Sequence, residues 1–164
     1  MAGISGTLTA SLISRLRASG DGINPRLAAI EEADPTLRVP GIRSILAHNI
    51  AVDLSEKSGI AHYPALLVYC EKVSNTLREK FRQFSGKVSL VIEVRYAQDR
   101  VDDIETSTQV YVDAICALLD DSRGDWGDGG FYGGGYSVNY DAVGRGGKNF
   151  LQRARINFEV EVSK

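Results

Sequence analysis

Two stretches of this chain change their chemistry at every residue, and they constrain the fold more than anything else in it. In "GKVSLVIEVRYA" the residues Val88, Leu90, Ile92, Val94 and Tyr96 fall on one side, with Lys87, Ser89, Glu93 and Arg95 on the other. In "ARINFEVEV" the apolar set is Ala154, Ile156, Phe158, Val160 and Val162, and the polar set is Arg155, Asn157, Glu159 and Glu161. A period of two over such lengths specifies strands with one face in a core and the other in water. "PALLVYCEKV", Pro64 to Val73, reads as a buried strand, and "YSVNYDAV" alternates through Tyr136, Val138, Tyr140 and Ala142. Between the second and third of these strands the period lengthens. Ile104, Thr108, Tyr111, Ile115, Leu118 and Leu119 mark one face of a helix over Asp102 to Asp121. Asp102 and Asp103 stand in its first turn, where negative charge is favourable.

The N-terminal part carries weaker signals. Ile4, Leu8, Leu12, Ile13 and Leu16 form a helical stripe that Gly20 and Gly22 end. A second short helix is predicted from Pro25 to about Ala33, with Asn24 as its cap. "DPTLRVPGIRSILAHNIAVDLSEKSGI" is poorly periodic and reads as a long excursion with one short helix around Arg43 to His48. Irregular segments of that length inside a domain are often functional. The expected architecture is α+β: a mostly antiparallel four-stranded sheet with a crossing helix, and the N-terminal helices packed on one face. Residues 1–63 would supply the helical region and an extended arm, and residues 64–164 the strand–strand–helix–strand–strand sheet. A chain of 164 residues accommodates both most simply in one compact domain.

Composition narrows the function. A net charge of −2 lacks the basic excess of a non-specific nucleic-acid binder. No apolar run approaches the roughly 18–20 residues of a membrane span, and the first stretch of the chain lacks the pattern of a secretory signal. Cys70 and Cys116 sit in apolar runs and read as small buried hydrophobes, which suits a reducing cytoplasm. His48 and His62 share no zinc-like spacing with them, and neither a G-x-S-x-G elbow nor an H-E-x-x-H helix occurs. Asp120, Asp121, Asp125 and Asp128 read as solvated acids rather than metal ligands. No catalytic residue, metal ligand or cofactor site is expected, and the chain does not read as an enzyme.

Ten of the seventeen glycines fall between Gly124 and Phe150. A phosphate-binding loop would need a glycine where Ala142 stands, a hydroxyl where Asn149 stands, and a helix after it, but a strand follows. A dinucleotide fingerprint beginning at Gly127 and Gly129 fails at Tyr132. "GRGGKN" between two alternating runs instead supplies a hairpin turn, and Gly124 fits a helix stop. The remainder predicts a surface loop carrying Trp126, Phe131 and Tyr132. Exposed aromatics on such a loop suit a contact surface, while the alternative is that Trp126 tucks into its own core.

Taken in order, "GKVSLVIEVRYAQDR", "TSTQVYVDAICALLDD" and "GDWGDGGFYGGGYSVNYDAVGRGGKNFLQRARINFEVEV" give a strand, a crossing helix, a glycine–aromatic loop and a long hairpin. From Pro64 onward this pattern resembles the tail terminator (tail-completion) proteins of long-tailed bacteriophages and phage-like particles. The resemblance implies a virion protein of the tail neck, assembled in the host cytoplasm as a sixfold ring on the head-proximal end of the tail tube. Such a ring stops tube growth and docks the head connector, while duplex DNA passes its lumen without specific binding. The implied partners are further copies of the chain, the tail tube protein and the head–tail connector protein, with no membrane and no cofactor. Interface candidates are Trp126, Phe131, Tyr132, Tyr136 and Val91, and the irregular stretch Asp34 to Gly59 is a candidate arm. Lumen or hairpin-tip candidates are Arg145 and Lys148, or Glu159 and Glu161. Two other readings stand beside it: a head–tail connector of the head-closure or neck type, and a small ligand-binding protein or enzyme using the 124–135 loop.

Overall fold

The long periods of the sequence correspond to three long strands and one long helix, joined by shorter pieces that no period announces. The computed structural model describes residues 3–164. In chain order the elements are α1 (Ile4–Arg17), α2 (Ile23–Ala33), β1 (Ser44–Leu46), α3 (Val52–Ser58), β2 (Ala65–Asn75), β3 (Ser85–Gln98), α4 (Ile104–Asp121), β4 (Gly124–Gly127), β5 (Gly130–Tyr132), β6 (Ser137–Tyr140), β7 (Gly144–Gly146) and β8 (Asn149–Ser163). All strands join one sheet in the order β1-β2-β3-β8-β5-β4, with β6 and β7 also bonded to β8.

This corrects the expected architecture. The class is α+β, but the sheet is not a mostly antiparallel four-stranded one. It has eight strands and is mixed, because β1 runs parallel to β2, with Ser44 opposite Ala65 and Leu46 opposite Leu67. The reason is length. β1, β4, β5 and β7 have three or four residues each, too few to display an alternation, and the alternating run from Tyr136 to Ala142 yields only the four-residue β6. Their strand geometry is imposed by backbone bonds to neighbouring strands rather than by their own pattern.

β3 and β8 form the spine, paired without a slip from Ser85 opposite Ser163 to Gln98 opposite Phe150. Their apolar sets pack against α1, α2 and α4. Leu8, Leu12 and Leu16 of α1, Leu27 of α2 and Tyr111, Ile115, Leu118 and Leu119 of α4 share one core with Leu90, Ile92 and Val94 of β3 and Ile156, Phe158 and Val160 of β8. Each buried leucine contributes about 1.5–3 kcal/mol to this layer.

The second face of the sheet is wet over only part of its length. Glu93 and Arg95, which the alternation places on the solvent side, are 4% and 2% exposed. Arg95 Nε donates to Glu93 Oε2 at 2.6 Å, its Nη1 donates to Ser55 Oγ at 3.1 Å, and its Nη2 donates to the Ile50 carbonyl. Ser55 belongs to α3, so the aperiodic segment carries a small helix fastened over that end of the sheet. The expected helix around Arg43 to His48 is replaced by β1, and the helix comes later. Asn24 is not a cap either: Gly22 holds that position. The Asn24 side chain instead accepts from the Ile42 N–H at 2.7 Å and donates to the Ile42 carbonyl at 3.2 Å, tying the same segment to α2.

Candidate interaction surfaces

The glycine-rich run follows β8 in three short pieces, of which β6 and β7 are edge strands while β5 is flanked on its other side by β4. β5, β6 and β7 lie one after another along the free side of β8, all antiparallel to it. From Phe131 to Ser137 the edge takes six steps while β8 takes four, from Glu161 to Asn157, so the register slips between β5 and β6. From Tyr140 to Gly144 it takes four against three, a single-residue bulge. The first break is made at Gly134 and Gly135, whose φ values of 95° and 87° belong to the left-handed side that glycine adopts freely. Beyond the second break, Gly147 at φ 65° turns β7 into β8.

This geometry sorts the aromatic candidates into two groups. Trp126 and Tyr132 belong to the core, at 7% and 0% exposed. Their rings stack edgewise on each other and on Phe158, with centroids 5.6 Å, 6.0 Å and 5.2 Å apart around the triangle. Trp126 Nε1 donates to the Ser122 carbonyl at 2.7 Å, and the Arg15 guanidinium lies 4.8 Å from the centroid of its ring. The Tyr132 hydroxyl donates to the Gly135 carbonyl at 2.9 Å, and burial pushes its pKa up to about 12. Val91 is also covered, lying on the second face between its register partners Tyr69 and Asn157. Phe131 and Tyr136 face solvent, at 52% and 38% exposed.

Tyr140 joins them at 42%, although it fell on the predicted apolar side of its strand. Its register partner Ala154 is buried, but β6 stands at the sheet edge, with no further strand beyond it. Tyr136 and Tyr140 both lie beside Cys116 of α4, and Tyr140 also lies near Asp113. Burial, before any neighbouring charge, raises the Cys116 thiol and both phenols above their ordinary values.

Arg145 and Lys148 are exposed on the β7–β8 hairpin, at the far end of β8 from Glu159 and Glu161. Charges on the second face pair at two places along β8, one beside those glutamates and one nearer the hairpin. Lys87 Nζ meets Glu159 at 2.9 Å, while Arg153 and Arg155 share Asp141 at 2.9 Å and 3.1 Å. The acids at the end of α4 and in the glycine run are likewise engaged: Asp121 with Arg26 at 2.9 Å, Asp120 with Arg123 at 3.4 Å and Asp128 with Lys164 at 2.9 Å.

A groove of about 920 Å³ lies between α1 and the part of β2 beyond its pairing with β1, lined by small and apolar residues such as Thr9, Ala10, Ile13, Ala47 and Val68. Among the described residues no three His, Cys, Asp or Glu side chains gather as a metal site, and no helix is long and apolar enough to cross a membrane. The reading of the sequence missed the β2–β3 connection, where Leu77 is 59% exposed and Phe81 fully exposed. An apolar residue in the run "TLREKFRQ", surrounded by charge, was the available signal. No protein-family model and no curated protein matches this chain.

Proposed function

We propose that the chain is a structural subunit of a phage or phage-like particle, forming a ring at the head-proximal end of the tail tube that ends tube growth and docks the head connector. The observation that carries this reading is the aromatic edge. Tyr136 and Tyr140 stand exposed on the α4 side of the sheet at the edge that β6 forms on β8, and Phe131 stands exposed on the second face, on β5 between β8 and β4. An exposed edge strand with aromatic side chains is a liability for a monomer and a contact for an assembly. A closed ring needs two different patches on each subunit that meet their counterparts by rotation, and an edge of this kind provides one.

The second face suits a channel through which DNA slides. Its charges are largely spent on one another, in the Lys87–Glu159 pair and the Asp141 cluster, so few cations are left to hold phosphates. On this reading the stretch near Glu159 and Glu161 faces the lumen.

The test is to add the purified protein to purified, uncapped phage tail tubes and to image both by negative-stain microscopy. A ring-shaped cap on one end of each tube, and tubes that no longer lengthen when tube subunits are supplied, is the expected result. Tubes that stay uncapped and keep growing would overturn the proposal. A protein that binds the portal side and leaves tubes bare would assign it to the head–tail connectors instead.

A further inference from the structure

The β2–β3 connection, residues 76–84, spends its hydrogen bonds on holding two large apolar side chains in water. Asn75 Oδ1 accepts from the Leu77 and Ser85 N–H groups at 3.2 Å and 3.1 Å, and its Nδ2 donates to the Gln83 carbonyl at 3.1 Å. Thr76 bonds the Ser85 carbonyl through both its N–H and its hydroxyl. Gln83 and Phe84 both donate their N–H groups to the Lys164 carbonyl at 2.9 Å. The loop is therefore well fixed, yet Leu77 and Phe81 adopt left-handed backbone, at φ 48° and 66°, where bulky residues are uncommon. Strain of this kind persists only where the surroundings impose it, and it concentrates at functional positions. What it achieves here is a fully exposed Phe81 and an exposed Leu77 in a run with Arg78, Lys80 and Arg82, of which Arg82 pairs with Glu79 at 3.5 Å and Arg78 and Lys80 make no ion pair among the described residues.

A complementary surface lies on the same molecule. α4 carries Glu105, Asp113, Asp120 and Asp121 and not one lysine or arginine. Asp120 and Asp121 meet Arg123 and Arg26 from outside the helix, which leaves Asp113 as the open acid of this flank. Its exposed Asp113 has no ion-pair partner among the described residues, and it stands beside the exposed Tyr140 at the glycine-rich edge. Tyr136 and Cys116 continue that surface. One surface is apolar and basic, the other aromatic and acidic. They are built from different elements, so a contact between them joins copies head to tail.

We infer that the basic tip Leu77–Arg82 of one copy docks on the acidic tyrosine flank of α4 and β6 of a second copy, with Phe81 as the apolar anchor. This names the two halves of the interface that the ring reading requires, and it rests on that reading. An aromatic anchor among arginines is the usual make-up of an interface hot spot.

Two exposed-surface variants separate the halves. Arg78→Glu/Lys80→Glu/Phe81→Gly destroys the tip and keeps the flank. Asp113→Lys/Tyr140→Ser destroys the flank and keeps the tip. Circular dichroism checks that both fold, and sedimentation velocity follows each alone, the two mixed, and the unmodified chain up to millimolar concentration. The unmodified chain is expected to self-associate. Each variant alone is expected to associate about 30-fold more weakly or not at all. The equimolar mixture is expected to form a dimer that grows no further, because only one intact tip and one intact flank remain to meet.

A variant that associates like the unmodified chain, a mixture that stays monomeric, or an unmodified chain monomeric throughout would each overturn the contact. The ring reading is judged separately, by the capping of tail tubes. Tubes capped equally well by either variant would leave the ring and remove this interface. Pelleting with anionic phospholipid vesicles closes the remaining route: vesicle binding lost only in the tip variant, with self-association unchanged, would assign Phe81 to a lipid surface and overturn the inference.

Discussion

Arg95 and Glu93 show how a single side chain can decide which face of a sheet is dry. The pair is buried on the face that the alternation assigns to water, and the guanidinium spends its remaining donors on Ser55 and Ile50. Removing one member leaves the other charged, buried and alone, so Arg95→Ala is expected to cost about 3–5 kcal/mol in urea unfolding. Replacing both, as Arg95→Met with Glu93→Leu, removes the uncompensated charge and is expected to cost far less. Tyr132 offers a second test. Its folded pKa of about 12 lies above the usual tyrosine value near 10, so between them the folded state holds a proton that the unfolded state has lost. Its contribution is complete below about pH 10 and is lost as pH rises towards about 12. Thermal melts should therefore fall through that window, and Tyr132→Phe, which has no phenol to ionise, should lessen the fall without abolishing it, because burial also raises Tyr111, Tyr63 and Tyr69, while lowering stability at neutral pH. At Phe81 the expected sign is reversed. Glycine relieves the left-handed backbone at a position with no packing to lose, so Phe81→Gly should raise the melting temperature of the monomer by about 2–4 °C.

Elements show which parts of the fold can be read from residues alone. β3, β8 and α4 were legible because each is long enough to repeat its period several times, and because one face of each meets the core. The strands β4, β5 and β7 were not, and of the alternating run from Tyr136 to Ala142 only the four residues of β6 are strand. "GGFYGGGYSVNY" contains glycine where a strand would ordinarily place β-branched residues, and only the bonds to β8 make it extended. The split of the aromatics was hidden for the same reason. Tyr132 lies inside and Phe131 outside because adjacent strand residues point to opposite faces, and that rule applies only once the segment is known to be a strand. Gly129 tests the edge as an element. Its φ is 81°, and an added Cβ would lie 2.3 Å from the Ser163 carbonyl oxygen at the end of β8. Gly129→Ala is therefore expected to lose about 2–3 kcal/mol by opening the β4–β5 turn away from β8. At Gly133 the nearest atom to an added Cβ is a Phe131 ring carbon at 3.9 Å, so Gly133→Ala should stay within about 0.5 kcal/mol of the original. Equal losses at both positions in chemical denaturation would mean that the edge is held by something other than its close approach to β8.

At the scale of the whole molecule the charges are sorted rather than scarce. A net charge of −2 conceals a helix with no basic residue and a loop with three, Arg78, Lys80 and Arg82. Both lie at the surface, where opposite charges steer partners and fix their orientation more than they add affinity. Salt therefore distinguishes two kinds of assembly. If copies meet tip to flank, raising sodium chloride from about 0.1 M to 1 M shortens the screening length from about 10 Å to about 3 Å and weakens the attraction. The association constant is expected to fall about tenfold over that range, mostly through slower association, while the apolar contact of Phe81 preserves part of the affinity. An interface built instead in the apolar groove between α1 and β2 would hold or strengthen in salt that favours burial, because little charge lines it beyond Arg17. Sedimentation equilibrium across a salt series reads the difference directly. A constant that falls with salt, and loses that dependence in Arg78→Glu/Lys80→Glu, ties assembly to the basic loop; one that does not fall moves the contact to the groove at the opposite edge of the sheet.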